Sequence, residues 1–331
     1  MPIQAFTRRR CLVAAASAFA LCAGAPALAQ TYPTKPIKMV VPFAAGGGTD
    51  VLARVIGEKL STSIGQPVVI DNKPGAAGII GTDAVAKAAP DGYTIVMSLS
   101  NALLTNQFLY EKLPYNPERD LALVYQVAMG PLVLVTHPSV PASTGPELLK
   151  YVAANKGKLA YGSYGLGAYP HLAGAHMSAT QNADMNHVAY KGEAPMIQDL
   201  IGGQIQMAYA SSLQAKPQIE AGKLKAIGVT GERRLSSLPN VPTLAEQGLK
   251  DEAYRLTGWL AIAVPAKTPE PIVKRLADEI RKATQQPDVQ QKVAAMGFEL
   301  KDSSPEAFAA AYKKERPVWE RLIKQSGAKL E

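Results

Sequence analysis

Short apolar runs alternate with helical patterns along most of the chain. The first run, at residues 37–41, ends at Pro42-Phe43 and leads through a glycine-rich turn into a helical pattern from Val51 to about Ser63. Further runs that favour strands lie at residues 68–70, 93–97, 132–135, 159–161, 186–190, 204–209, 226–229 and 259–264. Further helical patterns lie at residues 78–87, 171–179, 194–201, 271–284, 287–296 and 305–324. Because strands separated by helices form right-handed βαβ units, this order predicts an α/β fold with doubly wound parallel sheets.

A break at Gly130-Pro131 separates two such units. The central unit begins with the run at 132–135 and closes with a long loop at residues 233–253, after which the chain returns through the run at 259–264. We therefore predict two lobes joined by two crossing strands, with lobe 1 formed by residues 30–130 and 254–331 and lobe 2 by residues 131–253. Lobes connected in this way can close over a small molecule by a hinge motion.

The first 29 residues have the three parts of a secretory signal peptide. Three arginines at positions 8–10 form a basic head, an apolar run from Cys11 to Cys22 follows, and Ala27-Leu28-Ala29 forms an A-x-A exit. The apolar run is shorter than a membrane-spanning helix needs. We predict cleavage after Ala29 and a periplasmic mature chain, with a buried helix or a membrane anchor as the alternative. The arginines are compatible with export by the Sec or the Tat route.

The amino-acid composition argues against several kinds of functional site in the predicted mature chain. Both cysteines of the chain, Cys11 and Cys22, fall inside the predicted signal peptide, which leaves no disulfide, thiolate metal site or cysteine nucleophile. The four histidines show no zinc-ligand spacing. The formal net charge of +8 falls by three when the signal arginines are removed, and the remaining excess can steer anions. Because the basic residues are scattered, we predict no nucleic-acid partner, and we predict no metal and no cofactor.

Two glycine-rich loops, at residues 43–50 and 161–168, follow predicted strands and carry the candidate chemistry. Ligands of open α/β sheets bind beyond the carboxyl ends of the strands. Glycines let the backbone approach a ligand, and the helix that follows presents unpaired N–H groups that favour a carboxylate by about 0.3–1 kcal/mol. The alternative is an ordinary turn, with Thr49 or Asp50 as a helix cap in the first loop. We expect Asp50 to be structural, since its charge would repel an anion.

Neither loop predicts nucleotide binding or catalysis. The first loop lacks the Gly-Lys-Ser/Thr ending of a P-loop, and its glycines do not have the spacing of a dinucleotide fingerprint. Ser163 lacks a nucleophile elbow, because Tyr161 stands where that turn needs glycine. We expect the histidines, including His171, to pack against a helix or to cap a loop. The sequence therefore predicts no catalytic residue.

A set of motifs runs in order across nearly the whole predicted mature chain. These are PFAAGGGTD at 42–50, DNKPGAAG at 71–78, DGYT at 91–94, the glycine-rich stretch at 162–167 with HLAG at 171–174, HVAYKG at 187–192, DLIGGQ at 199–204 and LPNVPTLAEQG at 238–248. The set resembles the Bug family, the substrate-binding receptors of tripartite tricarboxylate transporters. Ala189 departs from the family by replacing a proline, and Tyr164, Leu166 and Tyr169 make the second loop bulkier than usual.

The resemblance implies a two-lobed type II periplasmic-binding-protein fold, the Venus flytrap, without catalysis. It implies a carboxylate held between the two glycine loops by backbone N–H groups and bridging waters, and a membrane permease of one large and one small integral subunit as partner. The ligand-binding residues expected on this basis are Phe43, Ala44, Ala45, Gly47, Gly48, Thr49, Asp50, Ser100, Asn101, Ser163, Tyr164, Gly165, Gly167, Tyr190 and Ser211.

The sequence leaves the solute and two other functions open. A dicarboxylate, a tricarboxylate, an acidic amino acid and an aromatic acid all fit a carboxylate anchored by the backbone. A periplasmic sensor domain that signals to a partner would share the same motifs. A periplasmic hydrolase or isomerase would have to use Ser163 or His171. We expect a monomer.

Overall fold

The structure, a computed structural model, describes residues 32–190 and 192–330, so the predicted signal peptide lies outside the described residues. The strands are β1 (Ile37–Val41), β2 (Val68–Asn72), β3 (Thr94–Leu99), β4 (Leu121–Gly130), β5 (Val133–Thr136), β6 (Ala160–Ser163), β7 (Asn186–Ala189), β8 (Met207–Ala210), β9 (Lys225–Val229), β10 (Gly258–Pro265) and β11 (Glu299–Leu300). The helices are α1 (Gly48–Ile64), α2 (Ile79–Ala86), α3 (Asn106–Leu109), α4 (Pro117–Asp120), α5 (Gly145–Ala154), α6 (Tyr169–Thr180), α7 (Glu193–Ile201), α8 (Ser212–Glu220), α9 (Glu252–Arg255), α10 (Glu270–Thr284), α11 (Pro287–Ala295) and α12 (Pro305–Ser326). A 3₁₀ turn covers Ala76–Gly78 and a π-helical turn covers Asn101–Thr105. Within the described residues, no helix is both long enough and apolar enough to cross a membrane.

The first sheet has six strands in the order β11-β4-β10-β3-β1-β2. β1 pairs in parallel with β2 and β3, with Ile37 opposite Val68 and Lys38 opposite Thr94. β10 runs antiparallel between β3 and β4, and β11 adds an antiparallel edge. β1 and β3 are buried along most of their length, which explains why they are continuous apolar runs and do not alternate. This sheet and its helices are called lobe 1.

The second sheet has five strands in the order β7-β6-β8-β5-β9 and, with its helices, is called lobe 2. β6 pairs in parallel with β7 and β8, whereas β5 runs antiparallel to both β8 and β9. The predicted two-lobed α/β class is therefore confirmed, but the sheets are mixed and not fully parallel. β5 and β10 are the strands by which the chain enters each sheet from the other lobe, so neither needs the helical crossover that a parallel neighbour requires.

The lobes contribute to the sheets in the order that the break at Gly130-Pro131 suggested. The first sheet takes its strands from residues 37–130 and 258–300, and the second from residues 133–229. The lobe boundaries at 130/131 and 253/254 stay a prediction.

Helix α12 connects the hydrophobic cores of the two lobes. Its Trp319 meets Tyr169 of α6 edge-on, with ring centroids 5.7 Å apart. Its Phe308 meets Trp259 of β10 edge-on at 5.2 Å. All four rings are buried, and such pairs add about 0.5–1.5 kcal/mol beyond the burial of their area. The C-terminal helix therefore packs against both lobes.

Several elements have no counterpart in the sequence prediction. The short elements α3, α4, α9 and β11 are among them, and the longest are β4, α5 and α8. β4 is ten residues long and Gln126, buried in its middle, interrupts the apolar run. α8 contains Pro217, which removes an N–H donor and is typical of a helix break. α5 begins at Gly145 with a proline in its first turn, so its start resembles a turn in the sequence. Only the structure shows that Thr144 caps a helix there. In each case the tertiary contacts outweigh a weak local signal.

Candidate functional site

The two predicted glycine loops lie at the carboxyl ends of parallel strands, one in each lobe. β1, β2 and β3 lead into residues 42–47, 73–78 and 100–101. β6, β7 and β8 lead into residues 164–168, 190 and 211. Because parallel strands end at the same edge of a sheet, each lobe gathers three loops on one edge. These two edges hold most of the residues expected to bind a ligand.

Asp50, which is 2% exposed, holds the first glycine loop from its buried side. The Asp50 carboxylate accepts hydrogen bonds from the Gly46 amide at 2.8 Å, from Arg54 Nε at 3.0 Å and from Asn72 Nδ2 at 2.9 Å. The same Asn72 amide donates to the Phe43 carbonyl at 3.1 Å. Burial raises the pKa of Asp50, but the bonds from Arg54, Gly46 and Asn72 outweigh it and hold the pKa below its ordinary value. Asp50 therefore positions the loop, which agrees with the expectation that it is structural, and its place among the ligand-binding residues stays a prediction.

The side of this loop that faces away from Asp50 is open to solvent. Ala44, Ala45, Gly46 and Gly47 are exposed, whereas Thr49 is buried at the start of α1. A Cβ at Gly47 would meet only the Ala44 carbonyl, at an ordinary 3.6 Å. The first N–H groups of α1 have no partner within the helix, as at any helix start. The loop therefore offers backbone donors beside open space.

A second loop of lobe 1, at residues 75–78, was not among the expected site residues. Ala76 and Ala77 have φ of 44° and 53°, a left-handed conformation that costs an alanine on the order of 1 kcal/mol or more. Asn101 Nδ2 and Asn106 Nδ2 hold the loop by donating to the Ala77 carbonyl at 3.1 and 3.2 Å. The sequence signals for this loop were the Pro-Gly turn after β2 and the DNKPGAAG motif at residues 71–78. The Asn101 side-chain amide therefore holds the adjoining loop at residues 75–78.

Phe43 and Ser100 complete the edge of lobe 1. A Cβ at Gly78 would lie 3.2 Å from the Phe43 ring, so this glycine lets the loop at 75–78 pack against the first glycine loop. Ser100 is 7% exposed and lies next to Gly258 at the start of β10. The structure therefore brings five predicted residues to one edge of lobe 1. Thr49 and Ser100 are buried there, whereas Phe43, Gly48 and Asn101 are partly exposed.

Two histidines fix the glycine loop of lobe 2. Ser163 Oγ lies 2.7 Å from His187 Nε2 and donates to the Gly165 carbonyl at 2.9 Å. The Gly167 amide donates to His171 Nδ1 at 3.0 Å, which requires an unprotonated nitrogen there. Burial lowers the pKa of both imidazoles, and with the added effect of His171 the pKa of His187 falls to about 4. The expected role of histidine in capping a loop is confirmed for His171.

Ser163 Oγ and His187 Nε2 are as close together as the two residues of a hydrolase dyad, but a substrate could not reach the buried Ser163 hydroxyl. Ser163 is fully buried at 0% exposure, and its Oγ is enclosed by the loop that it holds. A reacting carbonyl needs open space about 3 Å from the nucleophile. Within residues 32–190 and 192–330, no group of three His, Cys, Asp or Glu side chains could hold a metal ion. The pair supports the backbone of the loop.

Tyr190, Tyr164 and Ser211 are at the same edge with different roles. The Tyr190 hydroxyl donates to Asp199 Oδ2 at 2.8 Å, so it ties its loop to α7 and leaves only the ring near Gly162. Tyr164 is half-buried in the second glycine loop. Ser211 caps α8 and donates from Oγ to Glu193 at 2.9 Å. Lys191, which falls in one of the family motifs, lies outside the described residues.

The two edges face each other, because residues of both lobes meet beside them. Leu109 of lobe 1 occupies the space that a Cβ at Gly167 would need. The Ser212 hydroxyl of lobe 2 occupies the space that a Cβ at Gly297 would need, and Phe298 packs against Gly48. The two contacts between the lobes lie at the second glycine loop and at the start of α8, and the Phe298 contact with Gly48 lies within lobe 1. We expect the ligand to bind between the two glycine loops.

Comparison with known proteins gives a consistent result. A family model described as the tripartite tricarboxylate transporter family receptor matches residues 52–328. Protein BugT of Bordetella pertussis is 36% identical over 322 residues, covering 96% of this chain and 98% of that protein. The structure resembles R. palustris Rpa4515 with adipate, with a TM-score of 0.80 and 32% identity over 90% of this chain and all of that one. It also resembles MatC from Rhodopseudomonas palustris with bound malate, with a TM-score of 0.76 and 29% identity over 88% of this chain and all of that one.

Proposed function

The chain belongs to the tripartite tricarboxylate transporter receptor family, the family that includes the Bug proteins, and on this basis we propose that it captures a small carboxylate in the periplasm for delivery to a membrane permease. Its relatives are solute-binding receptors, which fits a protein without catalysis. The observation that carries the proposal is the pair of glycine loops, one in each lobe, at edges that face each other.

The contacts beneath the loops support this role. Asp50 and Asn72 hold the first loop, and His171, His187 and Ser163 hold the second. A loop fixed before the ligand arrives presents its N–H groups without an ordering cost at the moment of binding. Hydrogen bonds to a charged carboxylate contribute about 1.5–3 kcal/mol each, so a few such donors provide useful affinity.

The relatives support a small organic acid as the ligand. The two similar R. palustris structures hold adipate and malate, which are small organic acids. In our proposal one ligand carboxylate lies against residues 44–49 of the first loop, and residues 163–167 close over it from the other lobe. The lobes, with boundaries at 130/131 and 253/254, would then hinge about the two crossing segments.

Location and transport complete the proposal. A cleavable signal peptide at residues 1–29 would place the mature chain in the periplasm. There the closed receptor would release its ligand to the integral subunits of the permease. Cells that lack the protein should then lose uptake of the labelled ligand and regain it when the gene is restored. Normal uptake without the protein would contradict the transport role.

Binding is tested by a thermal-shift screen of the purified protein against small organic acids, followed by titration calorimetry. A ligand that binds only the folded state stabilises it by about 2.7 kcal/mol at a hundredfold excess over its Kd, which raises the melting temperature visibly. We expect shifts with carboxylates and none with the corresponding amides. Absence of a shift and of binding heat for every organic acid, amino acids included, would overturn the carboxylate-receptor proposal.

A further inference from the structure

Glu193 lies at the edge of lobe 2 that holds the loops after β6, β7 and β8, where it accepts a hydrogen bond from the Ser211 hydroxyl. It is the first residue of α7, directly after the loop that follows β7. Its carboxylate accepts hydrogen bonds from the Ser211 amide and from Ser211 Oγ, the latter at 2.9 Å. Tyr164 of the second glycine loop is close enough that the charge of Glu193 contributes to raising the pKa of its hydroxyl, after burial. Glu193 therefore lies beside two of the residues expected to bind the ligand, Ser211 and Tyr164.

A short series of contacts connects this carboxylate to the other lobe. Ser211 precedes Ser212, whose hydroxyl touches Gly297 of lobe 1. The next residue, Phe298, packs against Gly48 at the end of the first glycine loop. Glu193 is thus on the side of lobe 2 that faces the loop proposed to hold the ligand carboxylate.

The charge of Glu193 is poorly balanced compared with that of Asp50. Asp50 forms an ion pair with Arg54 at 3.0 Å and accepts from Asn72 as well. Glu193 forms no ion pair within residues 32–190 and 192–330, where its hydrogen-bond donors both belong to Ser211. Burial raises the pKa of Glu193, while the Ser211 bonds act in the opposite direction. A half-buried carboxylate without an ion pair gains a charge-assisted hydrogen bond from a cation placed beside it.

We propose that Glu193 binds an ammonium group of the ligand, so that the ligand is a small amino acid and not a simple dicarboxylate. The inference rests on the proposed function, in which the first glycine loop takes the ligand carboxylate. A second carboxylate next to Glu193 would meet a like charge, whereas an ammonium group forms a charge-assisted hydrogen bond there. This chain would then differ in ligand class from the two proteins that hold adipate and malate.

The test compares diacids with their amino counterparts by titration calorimetry on the purified protein. The pairs are succinate with β-alanine, glutarate with 4-aminobutanoate and adipate with 5-aminopentanoate, each exchanging one carboxylate for ammonium. Aspartate and glutamate, set against succinate and glutarate, test an added α-ammonium group. We expect the ammonium-bearing member of at least one pair to bind about tenfold tighter or more, the size of one charged hydrogen bond.

Two variants attribute that preference to Glu193. Glu193→Gln keeps the shape of the side chain and should reduce the preference about tenfold, to near equality. Glu220→Gln is the matched control, because it removes one exposed negative charge from the same lobe at the far end of α8 and should keep the preference. A preference that survives in Glu193→Gln would overturn the assignment.

The wild-type protein alone can also overturn the inference. Diacids that bind as tightly as their amino counterparts, or more tightly, would reject the ammonium site and leave the carboxylate receptor intact. Wild-type protein that binds neither diacids nor amino acids would instead overturn the proposed function itself.

Discussion

The imidazole rings of His171 and His187 lie almost parallel, with centroids 3.9 Å apart and planes 15° from parallel. His171 Nδ1 accepts the Gly167 amide, and His187 Nε2 meets the Ser163 hydroxyl at 2.7 Å. Two adjacent rings cannot both be charged imidazolium ions without repulsion, so the stack is stable when both rings are neutral. The second glycine loop therefore depends on the protonation state of a histidine pair.

This pair predicts a pH dependence of stability. Burial and the neighbouring His171 lower the pKa of His187 from 6.5 to about 4, so between those values the unfolded chain binds more protons than the folded one. Stability should therefore fall as the pH is lowered from about 6.5 to about 4. The melting temperature of His187→Gln, which cannot titrate, should change less over this interval than that of the wild type. Equal pH profiles would contradict this account.

Asp50 should be essential to the first glycine loop. In Asp50→Asn the charge that Arg54 and the Gly46 amide bind is lost, and the free energy of unfolding should fall by about 1–3 kcal/mol in denaturant titrations. Carboxylate affinity should fall as well, because the loop loses its support. Glu58→Gln is the control, since Glu58 is exposed on the same helix. If Asp50→Asn were as stable as that control, Asp50 would not hold the loop.

Backbone donors, and not the Thr49 hydroxyl, should supply most of the carboxylate anchoring. A methyl group fits at Gly47 without a clash, so Gly47→Ala should melt near the wild-type temperature while it keeps the ligand away from the loop. We expect affinity to fall about tenfold or more, whereas Thr49→Ala should weaken binding less. Calorimetry that finds equal losses for the two variants would contradict backbone anchoring.

Gly297 should permit closure of the lobes. A Cβ there would overlap the Ser212 hydroxyl and lie 3.2 Å from Ser212 Cβ, so Gly297→Ala should resist closing. Small-angle scattering should show the wild type contracting with saturating ligand and the variant contracting less. Gly327→Ala is the matched control, because Gly327 also has a left-handed φ at a helix end but open space around it. Gly297→Ala that contracts like the control would exclude this contact as a limit on closure.

The sequence by itself determined the elements that depend on local pattern. Strand β1, the helix after it and both glycine loops could be placed because apolar periodicity and glycine spacing are properties of adjacent residues. The ordered motifs also gave the family correctly. Strand β4 and helix α8 were missed, since Gln126 and Pro217 weaken the local signal and only packing restores it.

Only the tertiary structure decided what supports the loops. The bond between Asn72 and Asp50 joins residues 22 apart, and the contact between Ser163 and His187 joins residues 24 apart. The Ser211 bonds to Glu193 join the residue after β8 to the start of α7, over a separation of 18 residues. No local pattern encodes such pairs, because their partners meet only when parallel strands end at a common edge of the sheet. The loops were therefore readable from the sequence, whereas the residues that hold them in place were not.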